Sequence, residues 1–390
     1  MRRFATIVLG LGAMGSATVY QLARKGSRVL GVDRFSPPHA YGSTHGDTRI
    51  TRLAIGEGEH YTPLAMRSHE IWRDLGHKTG RTLLTANGGL VLSSSAKTSR
   101  SHGDHFFANT VAAAQRYDIP HELLDAAQIR RRFPQFNVAD DESGYFEPGA
   151  GFLRPEECVS VQLDLAEQHG AELHRDEQVS AFDVSDGGVT VTTDHDTYSA
   201  DKLIVAAGPW LPELVGHPFT RHLTIYRQVL CWFDIEGPVT PFLPENFPVF
   251  IWELQGKRQG VYGFPAVDGA RGGLKIATEQ YDAVTTAESV EREVSAAELG
   301  AIYEEYAAPH ISGLSSTCVK ATTCLYTVTP DFGFVIDTLP GAPRVMIVSP
   351  CSGHGFKHSP AIGEALSEWA IEGASRLDLG PFAMSRLGLN

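Results

Sequence analysis

Paired cysteines are missing from this sequence. Its five cysteines, Cys158, Cys231, Cys318, Cys324 and Cys351, are odd in number and widely spaced, and no two of them form a Cys-x-x-Cys pair. This pattern excludes a disulfide framework and the usual kinds of zinc site, and it is typical of a reducing compartment. We therefore expect a cytoplasmic protein.

Long apolar runs and an excess of positive charge are also missing. The formal net charge of −13 argues against nucleic acid and anionic membranes as partners, because both require a basic face. No run approaches the roughly twenty apolar residues of a membrane helix. The apolar run after Met1-Arg-Arg is short and passes directly into a glycine-rich turn, which argues against a signal peptide.

The sequence does contain a phosphate-binding pattern near its start. A short apolar strand ends at Gly10, and Gly12 and Gly15 follow at the beginning of a helical pattern. In such a turn the first glycine makes the bend, the second admits a pyrophosphate, and the third lets the helix pack on the strand. A second strand ends at Asp33, placed to accept a hydrogen bond from a ribose hydroxyl. We predict a dinucleotide site, which at this point suits either NAD or FAD.

A basic segment follows an irregular loop after Asp33 and delivers His45, Arg49 and Arg52. The spacing of three predicts that Arg49 and Arg52 share one face of a helical turn. Two adjacent guanidiniums repel each other unless an anion is present. We therefore weigh a role with phosphate, flavin or a substrate carboxylate against a solvated basic turn.

Three later segments bear on the cofactor and the substrate. The apolar strand from Leu203 ends on Gly208, a pattern of flavoproteins with two dinucleotide-type domains that favours FAD over NAD. Lys275 lies in one of the aromatic strands between Leu223 and about Thr317, and is either solvated or aimed into a cavity. The glycine-rich turn from Ser352 to Lys357 opens a helix and predicts a second anion site.

These patterns predict an α/β protein, α+β overall, of two discontinuous domains. A Rossmann-like FAD-binding domain is expected from residues 1–85, 150–218 and 320–390. A substrate (catalytic) domain, built on a mostly antiparallel sheet, is expected from residues 86–149 and 219–319. Helical patterns are expected at 61–75, 95–134 and 155–170, with a turn-rich boundary at 140–151.

Four separated motifs together resemble the family of monomeric sarcosine oxidase and N-methyltryptophan oxidase, FAD-dependent amine oxidases. The motifs are His45-Gly-Asp-Thr-Arg49-x-x-Arg52, Tyr262-Gly-Phe-Pro followed nine residues later by Lys275, Cys324-x-Tyr326-Thr, and Ser352-Gly-His-Gly-Phe-Lys357. The resemblance covers nearly the whole chain in order.

The resemblance implies a flavin bound covalently through Cys324, with Arg49 and His45 beside its ring system and Lys275 activating oxygen through a water at flavin N5. It implies that Arg52 and Lys357 grip a substrate carboxylate and that Tyr262 and Tyr326 line the substrate pocket. The implied reaction is hydride transfer from the carbon next to a neutral amine, hydrolysis of the resulting imine, and reduction of O2 to H2O2. The expected cofactor contacts are Gly10, Gly12, Ala13, Met14, Gly15, Asp33, Arg34, Ser43, Thr44, Val179, Ala207, Gly208, Trp210, Cys324, Gly353, His354, Gly355, Phe356 and Lys357.

Three departures from the family pattern concern the substrate pocket. Glu279 stands where a histidine is typical, Ile55 where an aromatic residue is usual, and Phe332-Gly333 replaces an acidic pair. Glu279 either pairs with a second cation on the substrate or is exposed.

The leading hypothesis is a monomeric oxidase of a secondary amino acid, either N-methylated or cyclic. The first alternative is an FAD-dependent dehydrogenase that uses a quinone or a protein as electron acceptor, and Lys275 argues against it. The second is a flavoprotein without catalysis. Arg52 together with Lys357 argues against that reading, because two cations suggest an anionic ligand.

Overall fold

The computed structural model describes residues 2–97, 105–217 and 219–388. Within these ranges, no helix combines the length and the apolar character needed to cross a bilayer.

The elements are numbered in chain order. The α-helices are α1 (Ala13–Arg24), α2 (Thr62–Thr79), α3 (Phe106–Arg116), α4 (Ala126–Arg132), α5 (Pro155–Gln168), α6 (Leu211–Val215), α7 (Phe219–His222), α8 (Ala296–Ile302) and α9 (Ser359–Glu372). The strands are β1 (Arg2–Leu9), β2 (Val29–Val32), β3 (Arg49–Thr51), β4 (Leu84–Thr85), β5 (Gly89–Ser94), β6 (Glu122–Asp125), β7 (Glu142–Glu147), β8 (Gly151–Leu153), β9 (Glu172–His174), β10 (Val179–Ser185), β11 (Gly188–Thr193), β12 (Thr197–Val205), β13 (Thr224–Ile235), β14 (Val249–Trp252), β15 (Val261–Phe264), β16 (Leu274–Thr278), β17 (Val284–Thr285), β18 (Leu314–Val328), β19 (Val335–Leu339) and β20 (Ala342–Ser349).

An eight-stranded sheet forms the first part of the molecule, with the order β10-β11-β12-β1-β2-β9 and with β20 and β19 added beside β12. Its central strands run parallel, because β1 pairs in parallel with both β2 and β12. Helix α1 packs against α5 and α9 over this sheet. At Gly363 of α9 an added Cβ would lie 2.6 Å from the Cβ of Ala17 in α1, so the two helices need glycine to come this close. The Rossmann-like part of the prediction is confirmed.

Local sequence signals explain where two of these helices begin and end. Helix α5 begins with Pro155, whose fixed φ suits the first turn of a helix, and carries Glu156 and Glu157 there. Both carboxylates interact favourably with the positive end of the helix dipole. Helix α2 ends at Gly80, which has φ +67°, a left-handed conformation that glycine adopts without steric cost.

A nine-stranded sheet forms the second part, with the order β17-β13-β16-β15-β14-β5-β7-β6 and with β18 also paired to β13. The β14–β5 pair is parallel, while β13 pairs antiparallel with β16, β17 and β18. One side of this sheet buries an aromatic core in which the rings of Phe136 and Phe247 stack at 4.8 Å. The expected mostly antiparallel second sheet is therefore confirmed.

Two local predictions are wrong and a third holds only in part, in each case because a strand pairs with the segment. Arg49 lies in β3, which joins β8 and β4 in a small sheet, and not on a helical turn. The boundary at 140–151 contains β7, and the range 95–134 contains β6 besides α3 and α4. Residues 98–104 of that range lie outside the described residues. The domain ranges stay a prediction; β18 spans the expected boundary at 319/320 and pairs with β13.

Candidate functional site

The first turn of the chain has the shape that a bound pyrophosphate requires. Gly10 has φ +84°, and an added Cβ there would lie 2.5 Å from the carbonyl oxygen of Ala206. At Gly15 an added Cβ would lie 1.7 Å from the Gly10 carbonyl oxygen. Both glycines are therefore needed by the packing of the turn itself.

Gly12 differs, because the protein alone does not require a glycine there. Among the described residues, the only atom within 4 Å of an added Cβ would be the hydroxyl oxygen of Thr44, at 3.5 Å, and Gly12 lines a cavity. Gly12 is also the N-cap of α1 and has no side chain of its own to cap the helix, while the Ala13 N–H makes a long hydrogen bond of 3.4 Å to the Thr44 hydroxyl. The N–H groups of a helix N-terminus that lies beside an open cavity suit a phosphate. The residues present fit the pyrophosphate of FAD.

Asp33 follows β2 and is hydrogen-bonded within the chain. Its carboxylate accepts hydrogen bonds from the backbone N–H of Leu11 at 2.7 Å and of Phe35 at 2.9 Å. Burial raises the pKa of Asp33, and these two N–H groups oppose that rise. Asp33 also lines the cavity, where it can still meet a ribose hydroxyl.

The cavity continues from this turn along the interface of the two sheets. Most of the expected cofactor contacts line it, namely Gly10, Gly12, Ala13, Met14, Asp33, Arg34, Ser43, Thr44, Val179, Ala207, Gly208, Trp210, Gly353, His354, Gly355, Phe356 and Lys357. Of the expected substrate and catalytic residues, the cavity is lined by Arg49, Arg52, Tyr262, Glu279 and Tyr326. The remaining predicted site residues, Gly15, His45, Lys275 and Cys324, lie behind this wall.

Arg49 lines the cavity, and Cys324 lies behind it. The Arg49 guanidinium donates from Nη2 to the carbonyl oxygen of Ser43 at 2.8 Å and lies 3.5 Å from the sulfur of Cys324. The Cys324 sulfur is also 3.5 Å from the Ser43 carbonyl oxygen. A nucleophilic sulfur thus lies beside a cation and behind Ser43 and Arg49, which line the cavity.

Lys275 is buried, so the reading as a solvated strand residue is wrong. Its ammonium nitrogen donates to the carbonyl oxygens of Gly46 at 2.7 Å and Thr48 at 3.0 Å. The nitrogen also lies 4.6 Å from the ring centre of Phe264. Burial, with a contribution from the charge of Arg49, lowers the pKa of Lys275 well below its ordinary value. Lys275 therefore anchors the loop that carries His45 and Arg49.

His45 lies in that anchored loop and is buried. Burial, followed by the charges of Arg49 and Lys275, lowers the pKa of His45 to about 3. Its Nε2 has no hydrogen-bond partner among the described residues. The imidazole is therefore neutral over the physiological range and cannot supply a positive charge.

Two cations and one carboxylate meet at the far end of the cavity. Arg52 donates from Nη2 to Glu57 at 2.5 Å, and its guanidinium lies 5.0 Å from the ring centre of Phe106. The ammonium nitrogen of Lys357 donates to the His354 carbonyl oxygen at 2.8 Å and is 3.9 Å from the Glu57 carboxylate. Burial lowers the pKa of Lys357 to about 8. Because β3 ends at Thr51, Arg52 lies at the same end of the cavity as Lys357, although the two residues are far apart in the sequence.

Tyrosine hydroxyls and a second carboxylate complete this end. The hydroxyl oxygens of Tyr262 and Tyr326 are 3.1 Å apart, and burial raises the pKa of both groups, so they stay neutral. Glu279 follows β16, lines the cavity and is 5% exposed. The reading of Glu279 as an exposed residue is therefore wrong.

Sequence reasoning missed two carboxylates here. Glu57, between two glycines, carries no recognisable pattern, and only the fold brings it to Arg52. Glu147 accepts hydrogen bonds from the backbone N–H groups of Leu53 at 2.7 Å and Ala54 at 3.1 Å, and so holds the segment after Arg52. An acidic residue directly after the aromatic pair Tyr145-Phe146 at the end of β7 is a signal that could have identified Glu147.

A cavity that extends from a glycine-rich turn at a helix N-terminus to a buried cationic end is typical of a dinucleotide-dependent redox enzyme. Residues 5–369 match the family described as DAO, FAD dependent oxidoreductase, and the chain belongs to this family. It is 40% identical over 388 residues to the monomeric sarcosine oxidase of Streptomyces avermitilis, with 98% of each chain covered. It is 35% identical over 381 residues to the N-methyl-L-tryptophan oxidase of Yersinia pestis, with 97% of this chain and 98% of that one covered. The resemblance found in the sequence is confirmed.

Solved structures share the fold at lower identity. NikD, an unusual amino acid oxidase essential for nikkomycin biosynthesis, has a TM-score of 0.83 at 23% identity, with 98% of both chains covered. The L-proline dehydrogenase from P. horikoshii has a TM-score of 0.81 at 18% identity, with 99% of this chain and 98% of that chain covered. One fold therefore serves a protein described as an oxidase and one described as a dehydrogenase, so the fold does not decide the electron acceptor.

Proposed function

We propose that the protein oxidises a secondary amino acid, N-methylated or cyclic, with FAD as cofactor and O2 as electron acceptor. The observation that carries this proposal is the single cavity that joins the phosphate turn at Gly12 to Arg52 and Lys357. Such a cavity offers a nucleotide-binding site at one end and an anion-binding site at the other. The names of the relatives, sarcosine oxidase and N-methyl-L-tryptophan oxidase, support a secondary amine as substrate.

The carboxylate of the substrate is proposed to bind Arg52 and Lys357. Both cations contact the single carboxylate of Glu57, so this group of three carries one positive charge in excess while Lys357 is protonated. Glu279 lines the same cavity and offsets that charge, so the substrate carboxylate is proposed to be held by direct hydrogen bonds from the two cations. Hydrogen bonds of this kind, between two charged groups, are the stronger ones in proteins.

The reacting amine is proposed to lie against Tyr262 and Tyr326. Hydride departure requires a neutral amine with a free lone pair, and two neutral hydroxyls can orient its N–H without holding it as an ammonium. The 3.1 Å contact between the two hydroxyl oxygens keeps both side chains in one arrangement. Alignment of the carbon next to the amine is thus the contribution of the chain.

Bound FAD supplies the two-electron acceptor and returns the electrons to O2 as H2O2. A covalent link through Cys324 is supported by its sulfur, which lies one layer from the cavity beside Ser43 and Arg49. Arg49 is proposed to lie beside the flavin ring. His45 has a pKa of about 3 and is therefore neutral near pH 7, so it is proposed to orient the cofactor by hydrogen bonding and not by charge.

Lys275 is proposed to promote the reaction with oxygen. Its amine is held by the carbonyl oxygens of Gly46 and Thr48, directly behind the cavity wall at Thr48 and Arg49. A cation in a low-dielectric site stabilises negative charge that develops on oxygen. Because its pKa is lowered, we expect this assistance to depend on pH.

Two finer expectations belong to this proposal. A cytoplasmic location is supported by the five cysteines, all of which are free. A monomer is expected, with small-molecule substrate and O2 as the only partners.

The electron acceptor is the point at which the proposal and its rival diverge. Purified holoenzyme would be supplied with secondary amino acids, first in air and then without oxygen but with a reducible dye. We expect H2O2 release in air at a rate that matches amine consumption. Dye reduction without H2O2 release in air would support the dehydrogenase and overturn the assignment of O2.

A further inference from the structure

The substrate end of the cavity contains two carboxylates, those of Glu57 and Glu279. Glu57 pairs with the two cations that are proposed to bind the amino acid, and Glu279 is additional to them. Glu279 is 5% exposed, and Tyr262, Tyr326 and Lys357 line the same part of the cavity. Removing a carboxylate from water is costly unless a partner compensates. Glu279 has partners within the chain, the Tyr281 hydroxyl and the charge of Lys357, and it also lines the cavity, where a ligand that carries a positive charge can reach its carboxylate.

The charges at this end are already balanced before a substrate enters. Arg52 and protonated Lys357 face the carboxylates of Glu57 and Glu279, whereas Arg49 is directed to Ser43 and Cys324. An amino acid with a neutral amine adds one negative charge through its carboxylate. An additional cation on the same molecule restores neutrality in a region of low dielectric, where an unbalanced charge is costly.

Aromatic side chains surround Glu279. The Tyr281 hydroxyl is hydrogen-bonded to Glu279, and its ring packs edge-to-face on Tyr226 at 5.6 Å and on Phe332 at 5.0 Å. The Tyr281 hydroxyl and the Tyr326 ring also meet across Gly353, where an added Cβ would lie 3.5 Å and 3.0 Å from them. Aromatic faces combined with a carboxylate form a favourable environment for an organic cation.

Phe332 is held at the outer side of this group in an unfavourable backbone conformation. It has φ +58°, which bulky residues rarely adopt, and 45% of it is exposed. Its carbonyl oxygen accepts a hydrogen bond from Nε2 of His354 at 3.1 Å, and His354 lines the cavity. A strained, exposed aromatic residue next to a ligand cavity points to a functional position.

We propose that Glu279, Tyr281 and Phe332 form a subsite for a cationic side chain, and that the substrate is a basic amino acid whose α-amine is secondary. The cation is an ammonium or guanidinium at the end of an aliphatic chain. This inference rests on the proposed amine oxidation and deepens it.

Binding of two matched ligands tests the subsite without turnover. The dissociation constants of 6-aminohexanoate and heptanoate, which differ in the terminal ammonium and methyl group, are measured from the change they cause in the visible spectrum of the flavin in the holoenzyme. We expect wild type to bind 6-aminohexanoate about tenfold or more tightly, the effect of one hydrogen bond between charged groups. Equal dissociation constants in wild type would overturn the inference, whatever the variants do.

Turnover is compared in the same way. The ratio of kcat/KM for Nα-methyl-L-lysine over Nα-methyl-L-2-aminoheptanoate, its neutral isostere, is measured for wild type, Glu279→Gln and Asp282→Asn. Asp282 is 53% exposed at its side chain and pairs with Arg258, so its variant controls for loss of a nearby negative charge. We expect a ratio of about ten or more in wild type and Asp282→Asn, and about one in Glu279→Gln.

The outcomes separate this inference from the proposed function. Oxidation of the neutral isostere without preference for the basic amine contradicts the subsite and leaves amine oxidation intact. A tenfold preference for 6-aminohexanoate without oxidation of either amine supports the subsite and contradicts the proposed reaction. A preference that persists in Glu279→Gln would place the cation elsewhere and overturn the assignment.

Discussion

Replacing Lys357 by methionine should weaken carboxylate binding by an amount that depends on pH. Lys357 is buried at the substrate end and lies 3.9 Å from Glu57. Loss of one hydrogen bond between charged groups costs about 1.5 to 3 kcal/mol, which corresponds to about a 10- to 150-fold increase in the dissociation constant. Methionine retains most of the side-chain volume, so the loss reports charge and not packing.

The sign of the pH effect follows from the lowered pKa of Lys357, which is about 8. Below that value the lysine is protonated and attracts a carboxylate, and above it the attraction is lost. The carboxylate dissociation constants of wild type and Lys357→Met should therefore differ most near pH 6, about two units below this pKa. They should converge as the pH rises above about 9. Arg52 is present in both enzymes, so both should retain residual binding.

The assay is the dissociation constant of an aliphatic carboxylate, measured from the flavin spectrum across this pH range. Lys202→Met is the matched control, because Lys202 also donates to a carbonyl oxygen, that of Trp369 at 2.8 Å, and burial also lowers its pKa. It does not line the cavity, so its variant should follow wild type. A constant offset between wild type and Lys357→Met at every pH would refute the reasoning, as would no offset at all.

Three further predictions address the cofactor, oxygen and the substrate loop. Cys324→Ala should release its flavin on acid precipitation, whereas Cys351→Ala, which changes a thiol that does line the cavity, should retain it. Flavin retained by Cys324→Ala would place the link elsewhere. Lys275→Met should slow flavin reoxidation far more than anaerobic flavin reduction. The control Lys320→Met, which removes a lysine 4.8 Å from the ring centre of Trp232, should change neither rate. Equal slowing of both half-reactions would contradict the role of Lys275 with oxygen. Glu147→Gln should raise KM for carboxylate substrates about tenfold, because two backbone N–H groups lose a charged acceptor worth about 1 to 3 kcal/mol; an unchanged KM would contradict its positioning role.

The nucleotide end of the site was predictable because its constraints are local. The spacing of Gly10, Gly12 and Gly15 fixes a turn, a helix start and a close packing contact within a few residues of one another. Their separate roles agree with the atoms that an added Cβ would meet at Gly10 and Gly15. A single segment of sequence was enough to recognise this part.

The conformation around Arg49 was not predictable from local sequence. A spacing of three between two arginines suggests a helical turn, yet β8 pairs with the segment and draws it into a strand. Lys275 shows a related limit: β16 is buried at every position, so alternation cannot distinguish a solvated side from a buried one. Both outcomes were decided by partners far away in the chain.

The substrate end was predictable only in part. The four motifs identify Arg52 and Lys357, but Glu57, which contacts both, comes close to Lys357 only through the fold. The burial of Glu279 likewise depends on the tyrosines around it. Charge balance at a site requires every charged group that faces it, and this information is present only in three dimensions.

The most direct measurement of the central claim is the visible spectrum of the purified holoenzyme during anaerobic addition of secondary amino acids. If the cavity aligns such an amine for hydride transfer, the flavin absorbance should bleach with a stoichiometry of about one amine per flavin, and admission of air should restore it with release of H2O2. A flavin spectrum that stays unchanged with N-methylated and cyclic amino acids, both neutral and basic, would contradict the account.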